Sequence, residues 1–387
     1  MVFNKLRAAR KNANSDDYIV ALDIGTEFVK ALIAKLDDDK LNIVGVGRKR
    51  QEISDMHSGA IADISGVVRN CEEALSEAED QAGLQAKRVV IGIAGELVKG
   101  VTNTIRYRRP QPDRPLEVGE MEFIIEKVQE RAQGKAQKQI ALETGNADVE
   151  VKLVNSALVS IHIDGYKVSN PIGFQGRDVA VQIYTAFAPM VHIGALERVA
   201  EELSLELLAV AVVNDGGVEG TKMFGIGGRS FTNTIATEMD LSYDDAEKLK
   251  VNIDNSNIKP TVAKDVNKAI DKTMEVWVAG VELALSEFDS VDHLPNRILL
   301  CGGGASLTKL VDALQKSDWH KSLPFTKKPT VHHINPSEVI DIDDTTGKVN
   351  DHTFITAMGL LRVGYDTMIG SSDSDTIKEK LNRILRI

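Results

Sequence analysis

The 387-residue sequence has few cysteines: only Cys71 and Cys301, which lie far apart in the chain. Two isolated thiols cannot form the disulfide framework of a small secreted protein, and they fit a reducing compartment. No apolar run approaches the roughly 20 residues needed to cross a bilayer. The basic N-terminus has no apolar core behind it, so it is unlike a secretory signal. These absences predict a protein of the cytosol or of the inner face of a membrane.

The sequence has fewer basic than acidic residues. The chain has 46 Lys and Arg against 57 Asp and Glu, a net charge of −11, which argues against general nucleic-acid binding through phosphate neutralisation. A hydrophobic content of 43% and only 10 prolines are typical of a globular protein. The length allows two or more domains. The P-loop pattern G-x-x-x-x-G-K-[ST] is absent.

A polar turn follows the first strand-like run. That run ends at Asp23, the turn is Gly25-Thr26-Glu27, and a second strand-like run carries Lys30. Backbone N–H groups of such a turn can face an anion. A third apolar run, an amphipathic helix and a buried strand follow, an order that matches neither a Rossmann unit nor a P-loop NTPase. The alternative for the turn is a plain β-hairpin.

A second glycine turn, residues 302–304, follows the strand-like run 297–301 and precedes a predicted helix over 308–314. Glycine lets the main chain approach a ligand closely, and the helix would aim its N-terminus at it. Taken together, the two turns suggest a nucleotide held between two lobes. The alternative for this turn is simple packing between a strand and a helix.

Ionisable residues elsewhere offer weaker signals. Glu247 and Lys250 lie one helical turn apart on the same predicted helix face, either at a ligand or as a solvated surface pair. None of the eight histidines forms a metal-binding pattern. The closest approach, His332-His333, is predicted to lie in a loop.

The C-terminus reads as a membrane anchor. A Gly-Ser-Asp linker over 370–375 precedes a segment with apolar residues on one helical face and cations beside it. The residues predicted to contact the membrane are Ile377, Lys378, Leu381, Arg383, Ile384, Leu385 and Arg386. A basic amphipathic helix on an acidic protein is typical of an interfacial anchor on an anionic membrane surface. The alternative is a terminal helix docked on the body, and residues 1–11 could form a second lipid contact.

The order and spacing of these motifs resemble FtsA, a family of bacterial cell-division proteins that are membrane-tethered relatives of actin. The segments that carry the resemblance are 23–26, 42–47, 58–63, 93–95, 170–176, 227–232, 246–250, 301–305 and 357–361. The resemblance implies an α/β, two-lobed actin-like fold with ribonuclease H-like lobes and an inserted α+β domain of the SHS2 type.

The resemblance also implies a domain plan. Residues 1–16 are a basic lead-in, and 17–94, 187–210 and 352–369 form the first lobe. The inserted domain is 95–186, the second lobe is 211–241 with 296–351, the small subdomain is 242–295, and 370–387 hold the linker and amphipathic helix.

By the same resemblance, the chain binds ATP and Mg²⁺. The residues implied for the nucleotide are Asp23, Gly25, Thr26, Glu27, Lys30, Glu247, Lys250, Gly302, Gly303, Gly304 and Ala305. The first turn would bind the β- and γ-phosphates, with Asp23 holding a water-ligated Mg²⁺. The second turn would lie beside the adenine and α-phosphate, and Glu247 and Lys250 would contact ribose and adenine.

The implied partners are those of a division scaffold. The FtsZ C-terminal peptide would dock near 242–295, the inserted domain would contact later division proteins, and the chain would self-associate into filaments. Its place would be the cytoplasmic face of the cell membrane at the division septum.

One departure from the family pattern affects activity. The second phosphate hairpin of actin-like proteins, Asp-x-Gly-x-x-Thr-x-Asp, is absent from the sequence. Half of the clamp around the γ-phosphate is therefore missing, and we expect ATP binding without efficient hydrolysis. Two alternatives are an adaptor like the type IV pilus protein PilM and a small-molecule kinase of the actin superfamily. The kinase is disfavoured because it needs the intact second hairpin.

Overall fold

The computed structural model describes residues 17–37, 40–57, 59–92, 98–211, 224–254, 258–288 and 293–372. Internal contacts divide the chain into two units. The first comprises Met1–Thr221, Val339–Asn350 and Thr356–Ile387, and the second comprises Lys222–Glu338 and Asp351–Ile355. After entering the second unit, the chain therefore returns to the first unit twice.

The described elements are as follows, in chain order. The strands are β1 (Tyr18–Ile24), β2 (Phe28–Asp37), β3 (Lys40–Arg50), β4 (Met56–His57), β5 (Ala60–Ile61), β6 (Arg88–Gly92), β7 (Lys99–Arg108), β8 (Val151–Ile163), β9 (Tyr166–Val168), β10 (Asp178–Pro189), β11 (Glu206–Ala211), β12 (Arg297–Leu300), β13 (Thr330–His333) and β14 (Ile342–Asp344). The helices are α1 (Ile64–Ala82), α2 (Val118–Thr144), α3 (Met190–Glu202), α4 (Gly228–Met239), α5 (Tyr243–Val251), α6 (Pro260–Ser286), α7 (Thr308–Lys316) and α8 (Ile355–Ser372).

The first unit is built on a sheet with the strand order β11-β6-β1-β2-β3-β14. β2 pairs antiparallel with both β1 and β3, and the other neighbours are parallel. Residues 19–22 of β1 are fully buried, because a central strand covered on both faces has no polar side. The predicted succession of three strands, a helix and a strand is confirmed, with the short β4–β5 hairpin inserted between β3 and α1.

Helix α1 covers one face of this sheet at very short range. A Cβ at Gly45 would lie 2.2 Å from the carbonyl oxygen of Ala78, and one at Gly47 would lie 1.8 Å from that of Ala74. Real Cβ atoms do not approach so closely, so the two glycines in β3 are what allow the helix backbone to rest on the strand.

Helix α8 covers the opposite face, and here the glycine that allows the close approach lies in the helix. A Cβ at Gly364 would lie 2.0 Å from Cδ1 of Ile19, and Ala357, Leu360 and Leu361 are fully buried. The sheet is thus a middle layer between two helical layers.

A second sheet of the first unit has the order β7-β10-β8-β9 and is antiparallel throughout. Helix α2 packs on one face, where Met121, Ile124 and Val128 meet inward-facing residues of β10. This sheet belongs to the first unit. The limits 95–186 of a separate inserted domain stay a prediction.

The second unit has a mainly helical core. Phe231 and Ile235 of α4 pack with Ile270 of α6, Leu310 of α7 and Trp319. Among its described residues the only sheet is the parallel pair β12–β13, and such a short pair depends on the surrounding helices for its stability.

Strand β14 corrects the predicted second lobe. The domain plan assigned all of 296–351 to that lobe, but Val339–Asn350 belongs to the first unit. There β14 pairs parallel with β3, and the N–H of Leu41 donates to the carbonyl oxygen of Asp341 at 2.9 Å. Conversely, residues 352–355, predicted in the first lobe, belong to the second unit. A three-residue strand pairing and a single 3₁₀ turn at His352–Phe354 are both too short to leave a periodic signal from which these switches could be predicted.

The C-terminal boundary also differs from the prediction. Helix α8 continues to Ser372, so the first three residues of the predicted linker, 370–375, are helical. The predicted membrane residues between 377 and 386 lie outside the described part of the chain. No helix within the described ranges is long and apolar enough to span a bilayer.

We predict that Gly47→Ala destabilises the first unit, because the new Cβ would overlap the Ala74 carbonyl oxygen. The expected loss is about 3 kcal/mol in the free energy of unfolding, measured by urea titration. Gly134→Ala is the matched control: nothing lies within 4 Å of a Cβ at this position in α2, and the change should stabilise the helix by about 0.5–1 kcal/mol. Equal stability of both variants would contradict the packing described above.

Candidate functional site

The predicted first turn joins β1 to β2. The N–H of Gly25 donates to the carbonyl oxygen of Phe28 at 3.1 Å and closes the turn. A Cβ at Gly25 would lie 2.9 Å from that same oxygen, so glycine suits the first position. Gly25, Thr26 and Glu27 are half-buried, and the structure thus brings these three predicted residues into one tight turn.

Asp23 and Lys30 flank the turn and pair with each other. They are register partners across the β1–β2 ladder, and Lys30 Nζ lies 3.0 Å from Asp23 Oδ2, with both side chains about nine-tenths buried. A buried carboxylate needs such a partner. The carboxylate predicted to hold a water-ligated Mg²⁺ is therefore already compensated by an ammonium group.

The end of β3 supports the first turn from one side. The backbone N–H of Gln51 donates to the carbonyl oxygen of Glu27 at 2.9 Å, and its side-chain Nε2 donates to the carbonyl oxygen of Gly25 at 3.3 Å. Arg50 Nε donates to the Glu27 carboxylate at 2.7 Å. The sequence analysis missed Gln51, although the β2–β3 register, which pairs Phe28 with Arg50, places residue 51 opposite Glu27.

The second glycine turn differs in form from the prediction. Gly302 has a φ of 80°, and Gly303–Ser306 form a 3₁₀ turn. Helix α7 begins only after it, at Thr308. The glycines therefore do not sit at the N-terminus of an α-helix, and the predicted strand–turn–helix motif contains an extra turn that separates them from it.

Glu247 and Lys250 form a buried cluster with Thr232. Lys250 Nζ lies 2.7 Å from Glu247 Oε2 and donates to Thr232 Oγ1 at 2.7 Å and to the carbonyl oxygen of Gly228 at 3.0 Å. The Thr232 hydroxyl in turn donates to the Glu247 carboxylate. The Lys250 and Glu247 side chains are only 13% and 14% exposed, so the alternative of a solvated surface pair is wrong.

This cluster adjoins the second glycine turn. A Cβ at Gly228 would lie 3.9 Å from Cα of Gly304 and 3.7 Å from Nζ of Lys250. The structure thus unites Glu247 and Lys250 with residues 302–305 within the second unit. The residues that sequence reasoning did not assign to the site are Thr232 and Gly228, although they lie in the 227–232 segment at the start of α4.

Two histidines support the second glycine turn. His333 and His352 stack with ring centroids 4.1 Å apart and planes 16° apart. A ring nitrogen of His333 lies 2.7 Å from the Ala305 carbonyl oxygen, and one of His352 lies 3.1 Å from Ser306 Oγ. The backbone N–H of Gly302 also donates to the His352 carbonyl oxygen at 3.1 Å. His333, predicted in a loop, lies in β13.

The predicted nucleotide residues thus fall into two groups. Asp23, Gly25, Thr26, Glu27 and Lys30 come together in the first unit, and the Glu247–Lys250 pair and residues 302–305 come together in the second. Within the described ranges, no group of three or more His, Cys, Asp or Glu side chains is placed to hold a metal ion.

The chain is similar in sequence to cell division proteins of several bacteria. The chain is 25% identical to the cell division protein FtsA of Enterococcus hirae over 350 residues, covering 77% of this chain and 75% of that protein. It is 22% identical to FtsA of Bacillus subtilis strain 168 over 352 residues, covering 78% and 77%. No protein-family model matches the chain.

A solved structure of the PilM-PilN type IV pilus biogenesis complex is similar in fold. Its TM-score is 0.61 at 16% identity, with 89% of this chain and 98% of that chain covered. The predicted fold class, a two-lobed actin-like α/β fold, is confirmed.

We predict a pH response at the stacked histidines. Partial burial, together with the charge of His333, holds the pKa of His352 below its ordinary value of 6.5, with Asp351 acting in the opposite direction. The unfolded chain therefore binds this proton first as the pH falls. The stability that neutral His352 contributes is present above about pH 6.5 and is lost as the pH falls toward the lowered folded-state pKa.

Thermal unfolding between about pH 7.5 and pH 5.5 measures this response. His352→Gln should flatten the dependence of the melting temperature on pH, whereas His332→Gln, at an exposed neighbouring position, should leave it unchanged. An unaltered pH dependence in His352→Gln would exclude the histidine as its source.

Proposed function

Because the chain is a relative of the cell-division protein FtsA, we propose that it binds ATP with Mg²⁺ and tethers the FtsZ ring to the cytoplasmic face of the membrane at the septum. The similarity to FtsA supports a role in cell division for this actin-like fold. The observation that carries the proposal is that this similarity extends over about three quarters of both chains.

The two residue groups support nucleotide binding. We assign the β- and γ-phosphates to the turn at residues 25–27, beside the Lys30 ammonium. We assign ribose and adenine to the Glu247–Lys250 pair and residues 302–305. The fit is chemical: the second group combines a cation, a carboxylate and side-chain-free backbone at Gly228 and Gly304, which suits hydroxyl groups and a flat base.

Mg²⁺ would be held through water by Asp23. A bound magnesium ion neutralises phosphate oxygens and usually keeps several of its waters, so an outer contact to one carboxylate suffices. Lys30, paired with Asp23 at 3.0 Å, would orient that carboxylate and itself attract phosphate. We propose ATP binding without efficient hydrolysis, because the sequence lacks the second phosphate hairpin that hydrolysis needs.

The scaffold function needs further surfaces. We propose that residues 242–295 take the C-terminal peptide of FtsZ, that the insert at 95–186 contacts later division proteins, and that copies of the chain associate into filaments. The basic amphipathic segment at 376–387 would bind the anionic membrane reversibly, and filament formation would strengthen it by avidity.

A second candidate is an adaptor for pilus assembly. It is favoured by the fold similarity to the PilM-PilN complex, at a TM-score of 0.61. The sequence similarity to FtsA and the amphipathic C-terminus favour the division scaffold. An FtsZ peptide and a PilN-type peptide, offered in parallel, would distinguish the two.

We predict that Lys250→Ala weakens ATP binding about 10-fold, because it removes a charged hydrogen-bond donor from the proposed ribose–adenine site. Calorimetric titration of ATP with and without Mg²⁺ measures this, and Mg²⁺ removal should weaken ATP more than adenosine. The control is Lys248→Ala, which removes an exposed lysine two residues away. This variant should bind ATP as tightly as the unaltered chain does. Absence of binding to the unaltered chain at millimolar ATP would overturn the nucleotide proposal.

We predict that the full chain carries FtsZ to anionic liposomes in co-sedimentation, and that a chain ending at Ser372, where α8 ends, does not. Leu381→Glu should abolish pelleting because it places a charge on the apolar face. Asn382→Glu changes the net charge equally outside that face and should pellet far better. Equal pelleting of the full and shortened chains would contradict the anchor.

A further inference from the structure

We propose that Gln51 is a positioning residue of the phosphate turn, acting as the last member of a buried polar chain that starts at the N-terminus of α1. This inference rests on the proposed nucleotide function. It concerns how the turn at residues 25–27 is held ready for an anion, and it gives Gln51, Asn70 and Asp55 a shared role.

Gln51 holds both outer carbonyl groups of the turn. Its backbone N–H binds the Glu27 oxygen and its side chain binds the Gly25 oxygen, at 2.9 Å and 3.3 Å. In a trans peptide the C=O and the next N–H point in opposite directions. With the Gly25 carbonyl drawn toward Gln51, the N–H of Thr26 points away from it. Gln51 thereby sets the direction of an amide that we assign to phosphate.

Asn70 fixes which way the Gln51 amide faces. Asn70 Nδ2 donates to Gln51 Oε1 at 2.6 Å, so the oxygen of Gln51 faces α1 and its nitrogen faces the turn. The opposite orientation would place two NH₂ groups against each other and an oxygen against the Gly25 carbonyl. Gln51 and Asn70 are only 5% and 6% exposed, so water cannot readily replace these partners.

Asp55 fixes Asn70 in turn. Asn70 Nδ2 also donates to Asp55 Oδ2 at 2.7 Å, and a carboxylate can only accept. Asp55 is 2% exposed. Its Oδ2 receives the N–H of Glu52 at 3.0 Å, and a Cβ at Gly66 would lie 2.1 Å from its Oδ1. The carboxylate thus rests against the first turn of α1, where the helix dipole favours a negative charge.

The consequence is a preorganised turn. The sequence of contacts runs from the helix N-terminus through Asp55, Asn70 and Gln51 to the Gly25 carbonyl. Each member has its polarity dictated by the one before it. A turn held in this way need not reorganise when an anion binds. The hydrogen bonds from Asp55 through Asn70 to Gln51 should therefore contribute to the affinity for phosphates and not to the affinity for the nucleoside.

Gln51→Glu tests this directly, because the two side chains have nearly the same size. The substitution replaces the NH₂ donor by a carboxylate oxygen opposite the Gly25 carbonyl. We expect ATP and ADP affinity to fall about 10-fold, with adenosine affinity unchanged, measured by calorimetry or competition with a fluorescent nucleotide. The matched control is Gln129→Glu, a half-buried glutamine of α2 whose Nε2 donates to Ser156; it should bind all three ligands normally.

A second variant, Gln51→Met, tests the same role if Gln51→Glu does not fold. Gln51→Met removes the donor without adding charge and keeps the backbone bond to Glu27, so ATP affinity should fall in the same direction but less. Because Asn70 acts through Gln51, Asn70→Ala alone should weaken ATP binding. Combined with Gln51→Met, it should weaken ATP binding little beyond the effect of Gln51→Met alone. Melting temperatures without ligand report whether each variant is folded.

The outcomes separate the two proposals. If the unaltered chain binds ATP and the Gln51 variants bind it equally well, the positioning role is wrong and the nucleotide proposal stands. If the variants lose adenosine and ATP in equal proportion, the effect is on the fold and the positioning role is also overturned. If the unaltered chain binds no nucleotide, both proposals fail.

Discussion

The contact between α1 and β3 is the constraint on which the first unit depends. Glycine at positions 45 and 47 lets the helix backbone rest directly on the strand, so the axis and depth of α1 follow from two absent side chains. That placement brings the helix N-terminus and Asn70 to the end of β3. The polar chain to the turn at residues 25–27 is built on this approach, so a packing constraint becomes a constraint on backbone direction at the candidate site.

Charge at the candidate site is balanced within each unit. Asp23 pairs with Lys30 in the first unit and Glu247 pairs with Lys250 in the second, and both pairs are largely withdrawn from solvent. Buried charges left unpaired would cost several kcal/mol each. In each unit the charged pair is therefore neutral as a whole before any ligand binds, and an anion bound near Lys30 would have to compete for it with the Asp23 carboxylate.

The sequence was most informative where periodicity and turn chemistry agree. The β1–turn–β2 hairpin and the order of the first elements were predictable because each is a run of local pattern with clear boundaries. The pairing of Glu247 with Lys250 followed from helical spacing, but its burial did not, because Thr232 and Gly228 reach it from another helix. Gln51 could have been found only from strand register, and the 3₁₀ turn at Gly303–Ser306 and the return of β14 to the first sheet have no periodic signature.

Strand β14 has a bearing on assembly. It pairs with residues 41–43 of β3 and covers that part of the outer edge of the sheet. Its own exposed edge is only three residues long and carries Asp343 and Asp344. A short edge strand with charged side chains discourages another chain from extending the sheet by strand addition. Filaments of the kind proposed above would then form through side-chain surfaces at this end of the sheet and not through a hydrogen-bonded ribbon.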